Sequence, residues 1–448
     1  MIEKTILFLT YYFNQEDYKH ARLKYVREHL GCYLPFGLYL YQPLEKIFSK
    51  VILYDYLNQM TEIGMRAVNE EIVEIVKKEH PKYVLWTSWQ YDILESTLER
   101  IRKEGVVVVG WFFDDAWRFD NYSKYWIPYL DYCVTNHLEA VPKYKAFGAK
   151  VIHTIPNTGI AIPFDWSKIE EKYEVSFVGT RVTAGREEYI NEIKKQNIPI
   201  HLFGKGWGEG YIPFERMIEI FQKSKINLNF SRTMDYFQIK GRVFQVCLAG
   251  GFLLTEYCPG IEKYFEIDKE IVCFQNAKEM IDKINYYLNH NKERRAIARA
   301  GWEKAIHNYT SFHMVSKVFQ EIEKDLKENP IRKNYPQKIE MPIWIRILPS
   351  KYHFEWGRIF LEENYKGLWK DELRLSISYN LLNFGAWYCY LISFFPLSLR
   401  SGFFKLYRLF EKLGGVFRRM LRSIPFLSEI RRKIVKRLFY PNTKYEIR

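Results

Sequence analysis

The sequence predicts an α/β protein built from two doubly wound, Rossmann-like units that face a cleft, followed by a helical, basic C-terminal tail. Three observations predict this organisation. Short apolar runs alternate with amphipathic helical patterns from the N-terminus, the alternation restarts near residue 164, and positive charge is concentrated at the C-terminal end. The 448 residues, 48% hydrophobic and 27% charged, have a globular composition and are long enough for two or three domains.

The first unit is predicted to span residues 1–160. Helical patterns such as 67–78 and 92–104 separate its apolar runs. The predicted strands are 6–10, 50–53, 83–87, 106–113, 132–135 and 151–155. Apolar strands that alternate with amphipathic helices indicate a parallel sheet covered on both faces.

The second unit is predicted to span residues 161–328 and repeats this alternation. Its predicted strands are 175–179, 200–203, 226–230, 252–255 and 271–274. Its helical patterns are 186–195, 214–224, 242–249, 277–289 and 293–307. Two such units in series bind ligands where the carboxyl ends of both sheets meet, so the candidate functional residues are those that follow each strand.

The C-terminal region is divided into a linker and a tail. Four prolines within residues 329–350 indicate the linker, and residues 351–448 are predicted to form a helical, basic, amphipathic tail. Residues 400–448 hold fourteen Lys and Arg against three Glu, a net charge of +11, which leaves +3 for the rest of the chain. A near-neutral body with a basic tail favours an anionic membrane surface as a partner over nucleic acid. A tail packed on the protein's own body and a nucleic-acid arm are the alternatives.

Residues 375–399 contain no charged residue. The stretch is long enough to span a bilayer, but its Asn, Ser and Pro residues favour a buried or interfacial helix. The six cysteines form no CxxC pair, and the N-terminal apolar run is too short for a signal peptide. We therefore expect a cytoplasmic protein, peripheral at the inner face of the cell membrane.

The most specific motif begins at Lys240 and reads Lys-Gly-Arg-Val-Phe-Gln-Val-Cys-Leu-Ala-Gly-Gly-Phe-Leu-Leu-Thr. A helix that starts near Arg242 would present free amides and its positive dipole end to an anion such as a nucleotide diphosphate. Lys240 and Arg242 add full charges, and Gly250 lets the helix end in a left-handed turn. A plain helix–glycine–strand connection is the alternative.

With its continuation to residue 304, this motif resembles the C-terminal domain of GT-B glycosyltransferases. Within them it is similar to the spore maturation protein CgeB-like family, often labelled glycosyl transferases group 1. The resemblance covers roughly the second unit and carries several ordered motifs. It implies a GT-B fold in which the second unit binds a nucleotide-sugar donor and the first unit binds the acceptor.

The donor-binding residues that the resemblance and the strand ends together indicate lie in three loops and one helix. They are Gly179, Thr180, Arg181, Arg186, Gly204, Lys240, Arg242, Gln245, Gly250, Thr255, Pro259, Gly260 and Glu262. For Arg181 and Arg186 the alternative is a solvated cation at a helix start. Asn157 lies where related enzymes carry an interdomain turn, and the resemblance implies a hinge there.

The sequence departs from the family at two positions. Gln245 stands where related families usually carry a glutamate that binds the ribose hydroxyls, and Phe237 stands where many carry a second glutamate. Glutamine keeps a hydrogen-bond acceptor but loses the charge.

Two adjacent carboxylates, Asp114 and Asp115, end the predicted strand 106–113. The CgeB-like family has a similar Asp-Asp pair, and one of the two could act as a base toward an acceptor hydroxyl or hold the acceptor. The alternative is an aspartate that caps the next helix. The candidate acceptor-binding residues are Trp86, Ser88, Trp89 and Trp117, for which core packing is the alternative.

The sequence contains no Asp-x-Asp pair, so we expect no catalytic metal and no cofactor, with the nucleotide sugar as a substrate. The expected function is transfer of a sugar to a glycan or lipid-linked acceptor in surface polysaccharide or glycoconjugate synthesis. The alternatives are a non-catalytic glycan- or membrane-binding scaffold, or a sugar epimerase-type enzyme on the same fold.

Overall fold

The structure of the protein is a computed structural model. It describes residues 2–10, 36–88, 90–156, 159, 162, 164–181, 186–204, 206–210, 212–233, 236–329, 335–362, 367–396, 398–400, 402–407 and 409.

The first unit contains a six-stranded, fully parallel sheet with the order β2-β1-β3-β4-β5-β6. Its strands are β1 (Ile2–Thr10), β2 (Phe48–Asp55), β3 (Tyr83–Ser88), β4 (Val107–Phe112), β5 (Tyr132–Thr135) and β6 (Val151–His153). Strands β3, β4 and β5 are buried along their whole length. All six predicted strands are confirmed, because apolar runs covered on both faces leave little ambiguity.

The helices of the first unit follow its strands. They are α1 (Phe36–Ile47), α2 (Tyr56–Glu79), α3 (Glu95–Lys103), the single turn α4 (Asp115–Arg118) and α5 (Val141–Ala146). Short 3₁₀ turns at Ser123–Tyr129 and Leu138–Ala140 complete the connections. The sequence predicted the regions of α2 and α3 but not α1.

The second unit contains a five-stranded parallel sheet with the order β13-β12-β9-β7-β8. Its strands are β7 (Tyr173–Val178), β8 (Ile200–Phe203), β9 (Ser224–Asn229), β12 (Leu253–Glu256) and β13 (Val272–Phe274). A separate antiparallel pair consists of β10 (Arg232–Thr233) and β11 (Tyr236–Phe237). Two doubly wound parallel sheets in series confirm the predicted GT-B fold class.

The helices of the second unit agree closely with the sequence patterns. They are α6 (Arg186–Lys195), α7 (Phe214–Gln222), α8 (Gly241–Leu248), α9 (Ala277–Asn289) and α10 (Asn291–Asn308). Helix α8 ends with Gly250 at a φ of 80°. The amide of Gly250 donates to the Cys247 carbonyl and that of Gly251 to the Val246 carbonyl, which is the predicted left-handed helix stop.

The next helix, α11 (Ser311–Glu328), returns to the first unit. Its buried face belongs to the first unit's core, and the Phe319 ring packs 4.8 Å from Phe48 and 5.4 Å from Tyr83. The Glu323 carboxylate accepts hydrogen bonds from Lys4, Lys82 and Tyr83. The second unit therefore ends near residue 309 rather than at the predicted residue 328.

Three further helices also pack on the first unit. They are α12 (Ile343–Glu362), α13 (Trp369–Tyr379) and α14 (Phe384–Ile392). Their buried side chains join the first unit's core, and Tyr352 of α12 donates to Asp92 in the loop after β3. The predicted linker is therefore shorter than 329–350, because α12 already begins at Ile343. The described residues between 351 and 409 place this part of the tail on the first unit, through the buried side chains of α12, α13 and α14. Residues 410–448 lie outside the described residues.

The uncharged stretch 375–399 does not form one continuous helix. It comprises the end of α13, a turn around residues 380–383, helix α14 and a turn that follows it. None of the helices within the described residues is long and apolar enough to cross a membrane.

Candidate active site

The carboxyl edges of the two sheets face each other, and side chains of both units meet between them. Nε2 of Gln238, just before α8, donates to Oδ1 of Asp114, just after β4, at 3.3 Å. Asp114 also attracts the ammonium group of Lys240 electrostatically. Cys258 of the second unit lies close enough to Glu139 of the first that this carboxylate, after burial, helps to raise the pKa of its thiol. These contacts define the cleft predicted from the strand ends.

Asp114 occupies a left-handed backbone conformation, with φ 59° and ψ 31°. Aspartate tolerates this conformation better than most residues, and such positions concentrate at functional sites. Within the described residues the Asp114 side chain makes no capping hydrogen bond to α4, although Asp114 is the residue before that helix. The capping alternative is therefore not supported, and the carboxylate points toward the second unit.

Asp115, the next residue, is placed differently. It is 1% exposed, and its carboxylate accepts hydrogen bonds from Ser123 Oγ at 2.5 Å, Thr135 Oγ1 at 2.6 Å and Tyr144 Oη at 2.9 Å. Burial raises the pKa of Asp115 to about 6, against the lowering effect of these three donors. The expectation that Asp115 contacts an acceptor is corrected, because its oxygens are enclosed and already bonded.

Two histidines extend the edge beside Asp114. His137 follows β5, and burial lowers its pKa, while Asp114 and Glu139 raise it. His153 ends β6, and burial together with Lys317 and His137 lowers its pKa to about 4. Sequence inspection missed both residues, although each follows a predicted strand at the same edge. At neutral pH they contribute hydrogen-bonding groups rather than positive charge.

The second unit places cations opposite Asp114. Burial lowers the pKa of Lys240 to about 8, against the attraction of Asp114, which raises it, and repulsion from Arg186 lowers it further. Arg186, the first residue of α6, donates from Nη1 to the Thr180 carbonyl at 3.3 Å. Its Nε has no hydrogen-bond partner among the described residues. Two desolvated cations beside the N-terminus of α8 form an environment suited to an anion.

Arg242 lies deeper in the second unit than predicted. Its Nη1 donates to Sδ of Met217 and, at 2.9 Å, to Oε1 of Gln245, and its guanidinium lies 5.4 Å from the Phe221 ring. The guanidinium thus packs between α7 and α8, although Arg186 is close enough to lower its pKa further after the effect of burial. The structure therefore favours a positioning role for Arg242 over a direct contact with the donor.

Gln245 is also engaged within the protein. It is buried, and its side-chain oxygen accepts the Arg242 hydrogen bond. A Cβ atom at Gly159 would lie 3.9 Å from Gln245 Cγ and 4.0 Å from Tyr39 Cε1, so Gln245 sits beside the crossing between the two units. The proposed hinge residue Asn157 lies outside the described residues.

The loops after β7 and β8 pack tightly against each other. A Cβ atom at Gly204, where φ is 113°, would lie 2.5 Å from the Gly179 carbonyl oxygen. Arg181 is exposed, and its Nε donates to Glu187 at 2.6 Å while its guanidinium lies 5.5 Å from the Trp207 ring. Gly179 and Gly204 thus have a structural reason to be glycine, and Arg181 borders the cleft.

Gly250 and Thr255 do not reach the cleft. Gly250 lies at the C-terminal end of α8, where a Cβ atom would be 2.4 Å from Phe164 Cδ1. In a parallel sheet the helices run opposite to the strands, so this end is on the amino edge, away from the cleft. Thr255 is fully buried, and its hydroxyl accepts from Asn229 Nδ2 at 2.8 Å. Both assignments as donor-binding residues are corrected.

The loop after β12 does lie at the cleft edge. Gly260 has a φ of 91°, and Pro259 is exposed. The exposed Glu262 accepts the Tyr257 hydroxyl at 2.6 Å and bonds to the amides of Gly260 and its own residue. These bonds lower the pKa of Glu262 and hold the loop, so a donor contact by this carboxylate would have to replace them.

The candidate acceptor residues are mostly core residues. Trp86 is fully buried and its ring lies 4.9 Å from Trp126 in an edge-to-face arrangement. Ser88 is buried and shares a 2.8 Å hydrogen bond with the Tyr122 hydroxyl. These two assignments are corrected in favour of core packing. Trp117 is half-buried beside Asp114, and Trp89 lies outside the described residues.

In the described part of the chain, no group of three or more His, Cys, Asp or Glu side chains is arranged to hold a metal ion. The expectation about metal remains a prediction.

Residues 186–320 match a family model described as glycosyl transferase-like. This segment contains α6 with Arg186, the start of α8 with Lys240, and the loop after β12. The match bears out the predicted enzyme class, a glycosyltransferase, and the broader part of the family resemblance. A comparison with curated protein sequences finds no match.

Several solved glycosyltransferases and related proteins are similar in structure. HepE of Anabaena, solved with UDP and glucose, is 10% identical with a TM-score of 0.47, and the match covers 72% of this chain and 100% of HepE. A glycosyltransferase from Rickettsia africae is 13% identical with a TM-score of 0.45, covering 73% of this chain and 100% of that protein. TarM is 12% identical with a TM-score of 0.43, covering 56% of this chain and 58% of TarM.

Proposed function

We propose that the protein transfers a sugar from a nucleotide-sugar donor to an acceptor hydroxyl in the cleft between its two units. The second unit would bind the donor and the first unit the acceptor. The observation that supports this most directly is the meeting of Asp114 with Gln238 and Lys240, because Lys240 and Gln238 belong to the segment that matches the glycosyltransferase-like family.

The donor diphosphate would lie at the N-terminus of α8. Lys240 precedes this helix, and Arg186 is close enough to shift the pKa of Lys240. Negative charge develops on the diphosphate as the bond to the sugar breaks, and fixed cations and helix amides stabilise that charge without reorganisation. An arriving diphosphate would also raise the lowered pKa of Lys240, so that binding and protonation support each other.

Asp114 would orient or deprotonate the acceptor hydroxyl. It is half-buried, it faces the second unit, and its oxygen is held by a long 3.3 Å hydrogen bond from Gln238 that a hydroxyl could replace. We also propose that no metal takes part, since Lys240 and Arg186 supply positive charge where a metal ion would otherwise act.

The acceptor is proposed to be a glycan or a lipid-linked glycan in surface polysaccharide or glycoconjugate synthesis, and the chain a member of the CgeB-like branch. The net charge of +11 in residues 400–448 supports a location at an anionic membrane surface, on the cytoplasmic side. Removal of these residues should weaken binding to anionic vesicles and leave donor binding unchanged, because the donor site is in the second unit.

A non-catalytic scaffold that binds glycans or membranes is the second candidate. It is favoured by one observation: Gln245, at the position of the family's glutamate, uses its side-chain oxygen for Arg242. The two candidates are separated by screening UDP-, GDP-, CMP- and dTDP-sugars for thermal stabilisation and then measuring release of free nucleotide. Stabilisation with nucleotide release supports the transferase. Stabilisation by glycans but by no nucleotide sugar supports the scaffold.

A further inference from the structure

Helix α14 is apolar on two opposite faces, and only one of them is covered. The covered face consists of Ala386, Cys389 and Ile392. On the other face and in the flanking turns, large apolar side chains are exposed. We define the apolar surface as Leu381, Leu382, Phe384, Trp387, Leu391 and Phe394. Phe384 is 78% exposed, Leu381 70% and Leu382 69%. A helix that is apolar on all sides is normally buried, so we expect another molecule or a membrane to cover the exposed face.

Hydrogen bonds fix the orientation that leaves this face exposed. Asn383 caps α14 by accepting from the Ala386 amide at 3.1 Å, and its Nδ2 donates at 3.0 Å to Ser350 of α12 and Ser376 of α13. A Cβ atom at Gly385 would lie 2.9 Å from Phe354 Cζ, so the helix also packs closely on α12. A rotation of α14 that buried its exposed face would therefore break the hydrogen bonds of Asn383.

The distribution of charge indicates what the occupant is. The apolar surface lies within the uncharged stretch 375–399. Lys370 and Arg374 precede this stretch together with Asp371 and Glu372, so this flank is neutral overall, whereas Arg400 and Lys405 follow it without an acidic residue. The sequence then continues with residues 410–448, which contain eleven Lys and Arg against three Glu, a net charge of +8. An apolar surface that is followed by a strongly basic segment is complementary to an anionic bilayer, in which acyl chains lie beneath negative headgroups.

The apolar surface is attached to the acceptor side of the protein. Helix α12, against which α14 packs, is joined to the loop after β3 by the hydrogen bond from Tyr352 to Asp92 and by the Tyr91–Tyr352 ring contact at 6.3 Å. This loop leaves the same carboxyl edge of the first sheet as Asp114. A bilayer in contact with α14 would therefore lie on the side of the unit proposed to bind the acceptor.

We propose that the apolar surface inserts into the headgroup region of an anionic phospholipid bilayer, separately from the electrostatic contribution of the basic tail. The proposal deepens the proposed function, and rests on it only in naming a lipid-linked acceptor as the substrate presented at that bilayer. Insertion of the side chains would make part of the membrane binding resistant to salt, whereas binding by Lys and Arg alone is screened.

The test uses the full-length protein and a matched pair of variants. One variant combines Leu382→Ser, Phe384→Ser and Leu391→Ser. The control combines Phe147→Ser, Tyr286→Ser and Phe312→Ser, which are exposed large side chains outside this surface. Flotation is measured with vesicles of equal parts phosphatidylcholine and phosphatidylglycerol, at low salt and at ~1 M salt, where the Debye length falls to about 3 Å.

The wild type and the control are expected to remain partly bound at ~1 M salt. The triple variant at the apolar surface is expected to lose this salt-resistant binding by roughly 100-fold in partitioning, because three large apolar side chains no longer insert. Its low-salt binding through the tail should persist. Circular dichroism and thermal unfolding check that both variants fold.

Three results would overturn the proposal. They are complete release of the wild type at ~1 M salt, equal salt-resistant binding by the triple variant, and a wild-type dimer without vesicles that the triple variant abolishes. The last result would assign the surface to a second copy of the chain. Calorimetry with nucleotide sugars in solution tests the proposed function separately. Salt-resistant membrane binding without any donor binding would retain the surface and reject the transferase.

Discussion

The carboxyl edges of the two sheets share one architecture but carry opposite chemistry. The first edge presents Asp114 with two histidines whose pKa values are lowered, so neither histidine adds positive charge at neutral pH. The second edge presents Lys240 and Arg186, both desolvated by burial. The difference shows that the doubly wound fold determines where a site forms, at the strand ends. The residues that follow the strands determine whether that site is suited to an anion or to a hydroxyl.

The largest effect is expected from the acidic edge. Asp114→Asn should fold normally and keep donor affinity but lose sugar transfer by roughly 100-fold or more, the usual contribution of a positioned base. Initial rates of nucleotide release in the presence of acceptor measure the change. Asp120→Asn is the matched control, since Asp120 is a nearby aspartate paired with Lys143 at 2.9 Å. Equal transfer by both variants would remove Asp114 from the mechanism.

The cationic edge should control donor binding instead. Lys240→Gln is expected to weaken nucleotide-sugar affinity by roughly 10- to 100-fold, corresponding to about 1.5–3 kcal/mol for a charge-assisted hydrogen bond. Lys269→Gln, an exposed lysine paired with Glu266, serves as the control. Calorimetry that shows the same affinity for both variants would place the diphosphate elsewhere.

The pH dependence sharpens the same contrast. The pKa of Lys240 is lowered to about 8, and only the protonated ammonium attracts a diphosphate. Donor affinity should therefore be maintained below about pH 8 and fall as the pH rises above it, by roughly ten-fold per pH unit at most. In Lys240→Arg the decrease should move to higher pH, because a guanidinium stays protonated. Identical pH profiles would show that another group titrates.

A smaller effect on stability is expected from the buried partner of the acidic edge. The pKa of Asp115 is raised from its ordinary value to about 6, so the folded state binds more protons than the unfolded state between these values. The free energy of unfolding should therefore fall as the pH rises from about 4 to about 6, by up to about 1 kcal/mol per pH unit. Asp115→Asn should flatten this slope in urea titrations. Asp92→Asn should flatten it similarly, because burial raises the pKa of Asp92 to about 6 as well.

The smallest effect is expected at the border of the cleft. Arg181→Gln should weaken donor binding by only about two- to five-fold, because the exposed Arg181 is already paired with Glu187 and an exposed charge is screened by solvent. A loss as large as that of Lys240→Gln would mean that Arg181 leaves Glu187 and enters the site when the donor binds.

The sequence predicted the fold well because its strongest signals are local. Runs such as β4 are buried throughout, and helices α6 and α9 begin and end at the predicted residues. The alternation of strands and helices along the sequence is by itself enough to predict which edge of each sheet carries the site. The position of Lys240 at the start of α8 was predicted for the same reason.

What the sequence could not predict depends on contacts between distant residues or on single dihedral angles. The sequence does not distinguish Asp114 from Asp115. In the structure, the left-handed conformation of Asp114 directs its side chain toward the second unit, whereas the Asp115 carboxylate is enclosed by three hydroxyl groups. Likewise, an amphipathic pattern indicates that a helix packs but not against which sheet. The return of α11 to the first unit depends on Glu323, whose partners lie 240 to 319 positions earlier.

The crossing of α11 has a consequence for how the chain folds as it is synthesised. Gly159 and Thr310 pair at one bridge, and the Ser311 amide donates to the Gly159 carbonyl at 3.0 Å, so the second unit leaves and re-enters the first at adjacent points. The second unit is thus an insertion whose two ends meet. The ribosome releases its residues as one contiguous block, whereas the first unit lacks α11 to α14 until residues 311–392 have also been synthesised. We expect the second unit to become protease-resistant first on the nascent chain, the reverse of the usual N-to-C order.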